Sequence, residues 1–150
     1  MFLKGVNCHF AVKAMKDDLQ RFVDAQARVI DHVRQELKAG HKQSHWMWFV
    51  FPQVKGLGHS ATAQRYAVAD LEEARDYLAH PVLGPRLIEC TRLVLAIHGK
   101  DLNEIFGTPD DLKFRSSMTL FAVASTQPIF REALERFCGG VEDPETVKRL

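Results

Sequence analysis

Cysteine is scarce in this sequence. Cys8, Cys90 and Cys138 are three, far apart, with no Cys-x-x-Cys pair. That excludes a disulfide framework and a thiolate zinc site, and it fits a reducing compartment, the cytoplasm. Long apolar runs are missing as well: nothing approaches the ~18 consecutive apolar residues of a membrane helix. From Met1 to Ala14 the chain carries Lys4, His9 and Lys13 between short apolar pieces, so it lacks the continuous apolar core of a signal peptide. No membrane partner is expected. Excess charge of one sign is absent too, with 20 basic residues against 19 acidic. The pI of about 7.8 lies below the usual footprint of a nucleic-acid-binding domain. Gly56-x-Gly58 has no third glycine and does not open a strand-to-helix unit, so a dinucleotide fingerprint is excluded.

One further absence is local. From Leu37 to Ala69 there is no Asp or Glu, while Lys38, Lys42, Lys55 and Arg65 are present. From Leu112 to Arg131 the same holds, with Lys113, Arg115 and Arg131. The rest of the chain is left with 13 basic residues against all 19 acidic ones. Segregation of this kind focuses a positive field on one surface or cleft. It also arises where a stretch is simply rich in core residues.

What is present is helix punctuation. Leu19, Phe22, Val23, Ile30, Val33 and Leu37 form an apolar stripe at helical spacing, opened by Asp17 or Asp18 and stopped at Gly40. Asp70-x-x-Glu73 starts a helix that ends before Pro81, and a long one follows from Pro81 to Gly99. Thr108-Pro109, Gln127-Pro128 and Asp143-Pro144 each put proline at or near a first helical position, where its missing N–H costs little. These marks predict an all-α fold, a single domain of six or seven helices over 17–150, preceded by an N-terminal extension, 1–16. His45 to Phe51 is the exception: periodicity does not separate a short buried strand from a buried helical turn there.

Two segments carry the candidate chemistry. Lys42, His45, Trp46, Trp48 and Gln53 fall in one short stretch that holds both tryptophans of the chain. Aromatic faces beside cations suit a planar, charged ligand through stacking and phosphate pairing. The other reading of the same stretch is a core plug. His41 and His45 have i, i+4 spacing, but no third ligand stands at a telling distance, so no metal and no cofactor are expected. Lys113, Ser116 and Ser117 would share a face of one helix, hydroxyls and a cation able to cradle a phosphate or to bond back to helix carbonyls. Gln26 lies in the apolar stripe of the first helix. Its amide either satisfies the backbone of the tryptophan loop or meets a ligand.

The spacing Ala25-Gln26, then Ser44-His45-Trp46-Met47-Trp48-Phe49-x-Phe51-Pro52-Gln53, Tyr77-Leu78-x-His80-Pro81 and Lys113-x-x-Ser116-Ser117-Met118-Thr119 resembles the bacterial family registered as domain of unknown function 1810. The resemblance covers roughly 17–150 and implies a small all-helical protein. It brings no catalytic assignment. The calpastatin label sometimes attached to that family finds no support in a helix-punctuated chain.

Two functions fit these residues. In the first, the chain binds or acts on a phosphorylated planar small molecule, a nucleotide or ADP-ribose-like compound. Gln26, Lys42, Trp46, Trp48, Gln53, Lys113, Ser116 and Ser117 would line the site. His45 would be the acid or base, since histidine suits proton transfer near neutral pH. In the second, it is a non-catalytic helical interaction module. Geometry separates them: a concave site where the acid-free segments meet, or a filled core with an exposed apolar patch.

Overall fold

The helix that carries the double serine is buried almost all the way round, and the rest of the fold is arranged about it. In the computed structural model, which describes residues 18–150, this helix spans Asp110–Ala124. Phe114, every residue from Ser116 to Phe121, and Ala124 are buried. A helix with apolar or small side chains on all faces belongs in the interior. Numbered along the chain, the helices are α1 (18–27), α2 (Ile30–Lys38), α3 (Met47–Val50), α4 (Ala61–Arg65), α5 (Leu71–Ala79), α6 (Leu83–Leu95), α7 (Leu102–Phe106), α8 (Asp110–Ala124), α9 (Pro128–Cys138) and α10 (Pro144–Lys148). α8 touches α3, α5, α7, α9 and α10, while α6 joins α2, α5 and α9 on the far side.

The all-α expectation holds, with ten helices among the described residues rather than six or seven. The expected 1–16 extension lies outside those residues. Three of the additional helices are short. The stripe from Leu19 to Leu37 is also two helices, because the Val29 N–H bonds to Gln26 O three residues back and the chain turns at 28–29. His45 to Phe51 is not extended: Met47–Val50 is a helical turn, and Phe51 leaves it at φ −122°, ψ 73°. Among the described residues the strand-like pairing comes just afterwards, a single parallel bridge between Val54 and Val68.

Side-chain capping explains four of the helix starts. Ser60, Asp70, Asp101 and Asp143 each accept the N–H of the residue three further on. The helix expected from Pro81 begins instead at Leu83, because His80 Nδ1 accepts the N–H groups of Val82 and Leu83. α5 and α6 then run so close that a Cβ on Gly84 would lie 2.1 Å from Leu78 O, which only glycine allows. At the other end of α6, Arg136 of α9 donates to the carbonyls of Leu95 and Ile97 and closes the helix with a cation.

Candidate functional site

The sequence between α2 and α3 is rich in hydrogen-bond donors and holds no acid of its own. One carboxylate from α2 serves it. Glu36 accepts the N–H of Gln43 at 2.7 Å and of Ser44 at 2.9 Å, the Ser44 hydroxyl, and the Trp46 indole N–H at 3.0 Å. Burial alone would raise its pKa. The Ser44 hydroxyl, the two main-chain N–H groups and the indole outweigh burial and hold the carboxyl down at about 2. Trp46 is thereby pinned with no exposed surface, packed against Phe51 and Phe106.

Trp48 is different. It is half-buried, and the Lys113 ammonium lies 5.0 Å from its ring centroid. Lys42 occupies the equivalent place over Trp46, at 5.2 Å. The two lysines meet on one carboxylate: Lys42 Nζ is 2.7 Å and Lys113 Nζ 3.5 Å from Asp110, the first residue of α8. Their side chains are only 7% and 22% exposed, and that of Asp110 19%. Beneath this corner, Phe51 and Phe114 pack ring to ring at 5.0 Å. The two acid-free segments therefore converge in space, as their shared lack of carboxylates suggests, and they do so on a pair of cations with one acid between them.

The remaining residues of interest are placed elsewhere or otherwise engaged. Ser116 and Ser117 are both buried, because the chain from Val141 to Lys148 covers the face expected to be open. Ser116 Oγ lies 2.9 Å from Asp143 Oδ2 and 3.1 Å from Leu112 O, two acceptors for one proton. Thr146 donates to the same Asp143 oxygen at 2.6 Å. Burial raises the Asp143 pKa, but the Thr146 hydroxyl, Ser116 and the N–H groups at the start of α10 pull it below the ordinary value. Ser117 Oγ has no partner among the described residues. Gln26 spends its amide on structure: Nε2 donates to Phe49 O at 2.6 Å and to the Tyr77 hydroxyl at 3.0 Å, and Arg86 approaches Oε1 at 3.5 Å. The Gln53 carbonyl accepts the Val68 N–H, and its side chain is half-buried. His45 is exposed and has no hydrogen bond among the described residues.

The cations of the second acid-free stretch also divide. Lys113 joins the corner, while Arg115 donates to the carbonyls of Val141 and Glu142 and Arg131 pairs with Glu142. Open cavities of about 580 and 460 Å³ flank the turn between α8 and α9, and one of about 360 Å³ lies between Gly40 and Ile97. None of these three has either tryptophan as a wall. Among the described residues, no group of three His, Cys, Asp or Glu side chains is assembled to hold a metal, and no helix is long and apolar enough to cross a membrane. Asp110 and Glu36 are the acids that the sequence reading passed over as site residues. Asp110 carries a legible mark, three residues before Lys113 on one helix, and Glu36 stands one residue before the first acid-free stretch.

This is a helical protein whose distinctive surface is a basic, aromatic corner at the start of its central helix. The chain belongs to the family described as protein of unknown function (DUF1810), whose model matches residues 16–150. It is 56% identical to the conserved hypothetical protein Rv1873 from Mycobacterium tuberculosis, whose crystal structure is similar with a TM-score of 0.88 over 89% of this chain and 96% of that one. No curated protein matches the chain.

Proposed function

We propose that this protein binds a phosphorylated, planar small molecule, a nucleotide or an ADP-ribose-like compound, at the corner formed by Trp48, Lys113 and Lys42. One observation carries the reading: two largely buried ammonium groups share a single carboxylate beside a half-exposed indole. A planar base stacks on an aromatic face, and a phosphate takes ammonium donors at charge-assisted strength. Trp46, Gln26 and Ser116 support the corner from behind, through the loop, α1 and α10. His45, exposed with no hydrogen bond among the described residues, is given no catalytic part in this reading.

A thermal-shift screen of the purified protein against nucleotides, ADP-ribose and uncharged nucleosides tests the proposal. A ligand at a hundred times its Kd adds about 2.7 kcal/mol to stability. For a chain of this size that moves the midpoint by roughly 5–10 °C. The expected result is a shift with phosphorylated compounds and none with the matching nucleosides. A panel in which no anionic compound moves the midpoint contradicts it. That outcome favours the second reading, a helical interaction module, for which the structure offers Leu112 and Val141, 59% and 56% exposed on either side of Arg115.

A further inference from the structure

The corner has an occupant already. Asp110 is ion-paired with Lys42 and Lys113, and its carboxylate takes no main-chain donor among the described residues. Asp31, Glu89 and Glu142 are likewise held only by side-chain cations, but they are far more exposed than Asp110, whereas most carboxylates at helix starts are anchored by main-chain donors. Glu36 takes Gln43 and Ser44, and Glu73 takes Ala69. Asp70 takes Glu73, and Asp101 and Glu104 take each other's N–H groups. Asp111, its own neighbour, takes Leu112, and Asp143 takes Thr146. Those bonds tie each carboxylate to a backbone position. Asp110 is held by two ammonium groups on long, rotatable stems, and an ammonium does not distinguish a carboxylate from another anion by geometry. Two cations over one acid leave one unit of positive charge at the contact. Glu36 bonds the Trp46 indole, and its oxygens already accept four donors.

We propose that Asp110 is a built-in competitor that fills the anion seat of the free protein and is exchanged for the phosphate group of an incoming ligand. The inference rests on the reading of the corner as a binding site and adds what regulates it. Asp110 lowers affinity for every anion and so selects for ligands that also gain from stacking on Trp48. A simple monovalent anion gains too little to displace it, whereas a polyphosphate carrying a planar group gains at both points.

The test uses the full chain and inorganic pyrophosphate, which has no planar group, at ionic strength matched with sodium chloride. In Asp110→Asn the seat is vacated while the side chain keeps its size. The midpoint without added anion falls, because Lys42 loses its contact partner. Pyrophosphate then restores it, with about tenfold tighter binding than to the parent. The gain disappears in the double variant Asp110→Asn, Lys113→Met. Equal pyrophosphate shifts in parent and Asp110→Asn overturn the proposal. Should Asp110→Asn fail to fold, the side-chain carboxyl 13C resonance of Asp110 in the parent decides. It moves on saturation with pyrophosphate if the carboxylate is displaced, and a static resonance overturns the idea. Failure of the binding reading is seen separately: a parent that ignores every planar anion while Asp110→Asn gains pyrophosphate keeps the competitor and removes the proposed ligand class.

Discussion

Lys113→Met is expected to weaken binding of a phosphorylated planar ligand roughly ten- to a hundredfold while leaving the fold intact. The estimate follows from the loss of one charge-assisted hydrogen bond, about 1.5–3 kcal/mol. Lys42→Met should do the same, since methionine keeps much of a stem that is 93% buried and deletes only the charge. Asp110 keeps Lys42 in Lys113→Met, so stability should change there by about 1 kcal/mol or less. Lys42→Met breaks the shorter and more buried contact and should cost more, about 3 kcal/mol at most. Titration calorimetry with the best compound of the screen measures the first quantity and urea unfolding the second. Parent-like affinity in both variants would remove the two lysines from the site. A collapse of stability with no change in affinity per folded molecule would make them structural ion-pair partners instead.

The largest effect on stability is expected at Glu36. Its carboxylate satisfies two main-chain N–H groups, a hydroxyl and the indole of a tryptophan with no exposed surface. Glu36→Ala removes the acceptor of all four donors; the Gln43 N–H is exposed and turns to water, while the indole of Trp46, with no exposed surface, is left unpaired. Bonds to a charged acceptor contribute about 1.5–3 kcal/mol each but do not add fully when they share it, so a loss of about 3 kcal/mol is expected. The pH dependence has a definite sign. The folded pKa of about 2 lies below the ordinary carboxyl value of 4.5. The contribution is therefore fully present above pH 4.5 and is lost as the pH falls from there toward 2. Urea midpoints at pH 7 and pH 3 check both points. The parent should lose stability between them more steeply than Glu36→Gln, whose amide does not titrate. Identical slopes, or a loss under 0.5 kcal/mol for Glu36→Ala, would show that the loop from Gly40 to Trp46 is held by other contacts.

Helices whose starts are written in capping residues were legible in the sequence. Asp70 and Asp143 announced α5 and α10, and Gly40 at φ +74° stopped α2 where its glycine implied. Asp101-x-x-Glu104 is an equally explicit capping box for α7, and the sequence reading passed over it. Other boundaries were missed because the short-range bonds that set them follow no capping pattern in the sequence. Nothing local marks His80 as a cap for α6, and the turn at 28–29 falls in a stripe whose periodicity runs on past it. The convergence of the two acid-free stretches was readable from charge alone. What charge could not show is how differently their residues are spent. Arg115 is consumed by main-chain carbonyls, Ser116 by Asp143, and Trp46 by Glu36. Each of these depends on an element brought over the site from elsewhere in the chain. The double serine reads as a polar face on an isolated helix, and only the C-terminal segment packed on it makes that face interior.

The seat of the ligand is tested most directly by tryptophan emission. The two indoles differ in a useful way, one with no exposed surface and bonded to Glu36, the other half-exposed beneath Lys113. Titrating the parent and Trp48→Phe with the phosphorylated compound that gives the largest thermal shift separates them. Saturable quenching is expected in the parent and is lost in Trp48→Phe, although the variant folds and still emits from Trp46. Quenching of equal depth and midpoint in Trp48→Phe would contradict the proposed seat, since the ligand would then sit away from the Trp48 face.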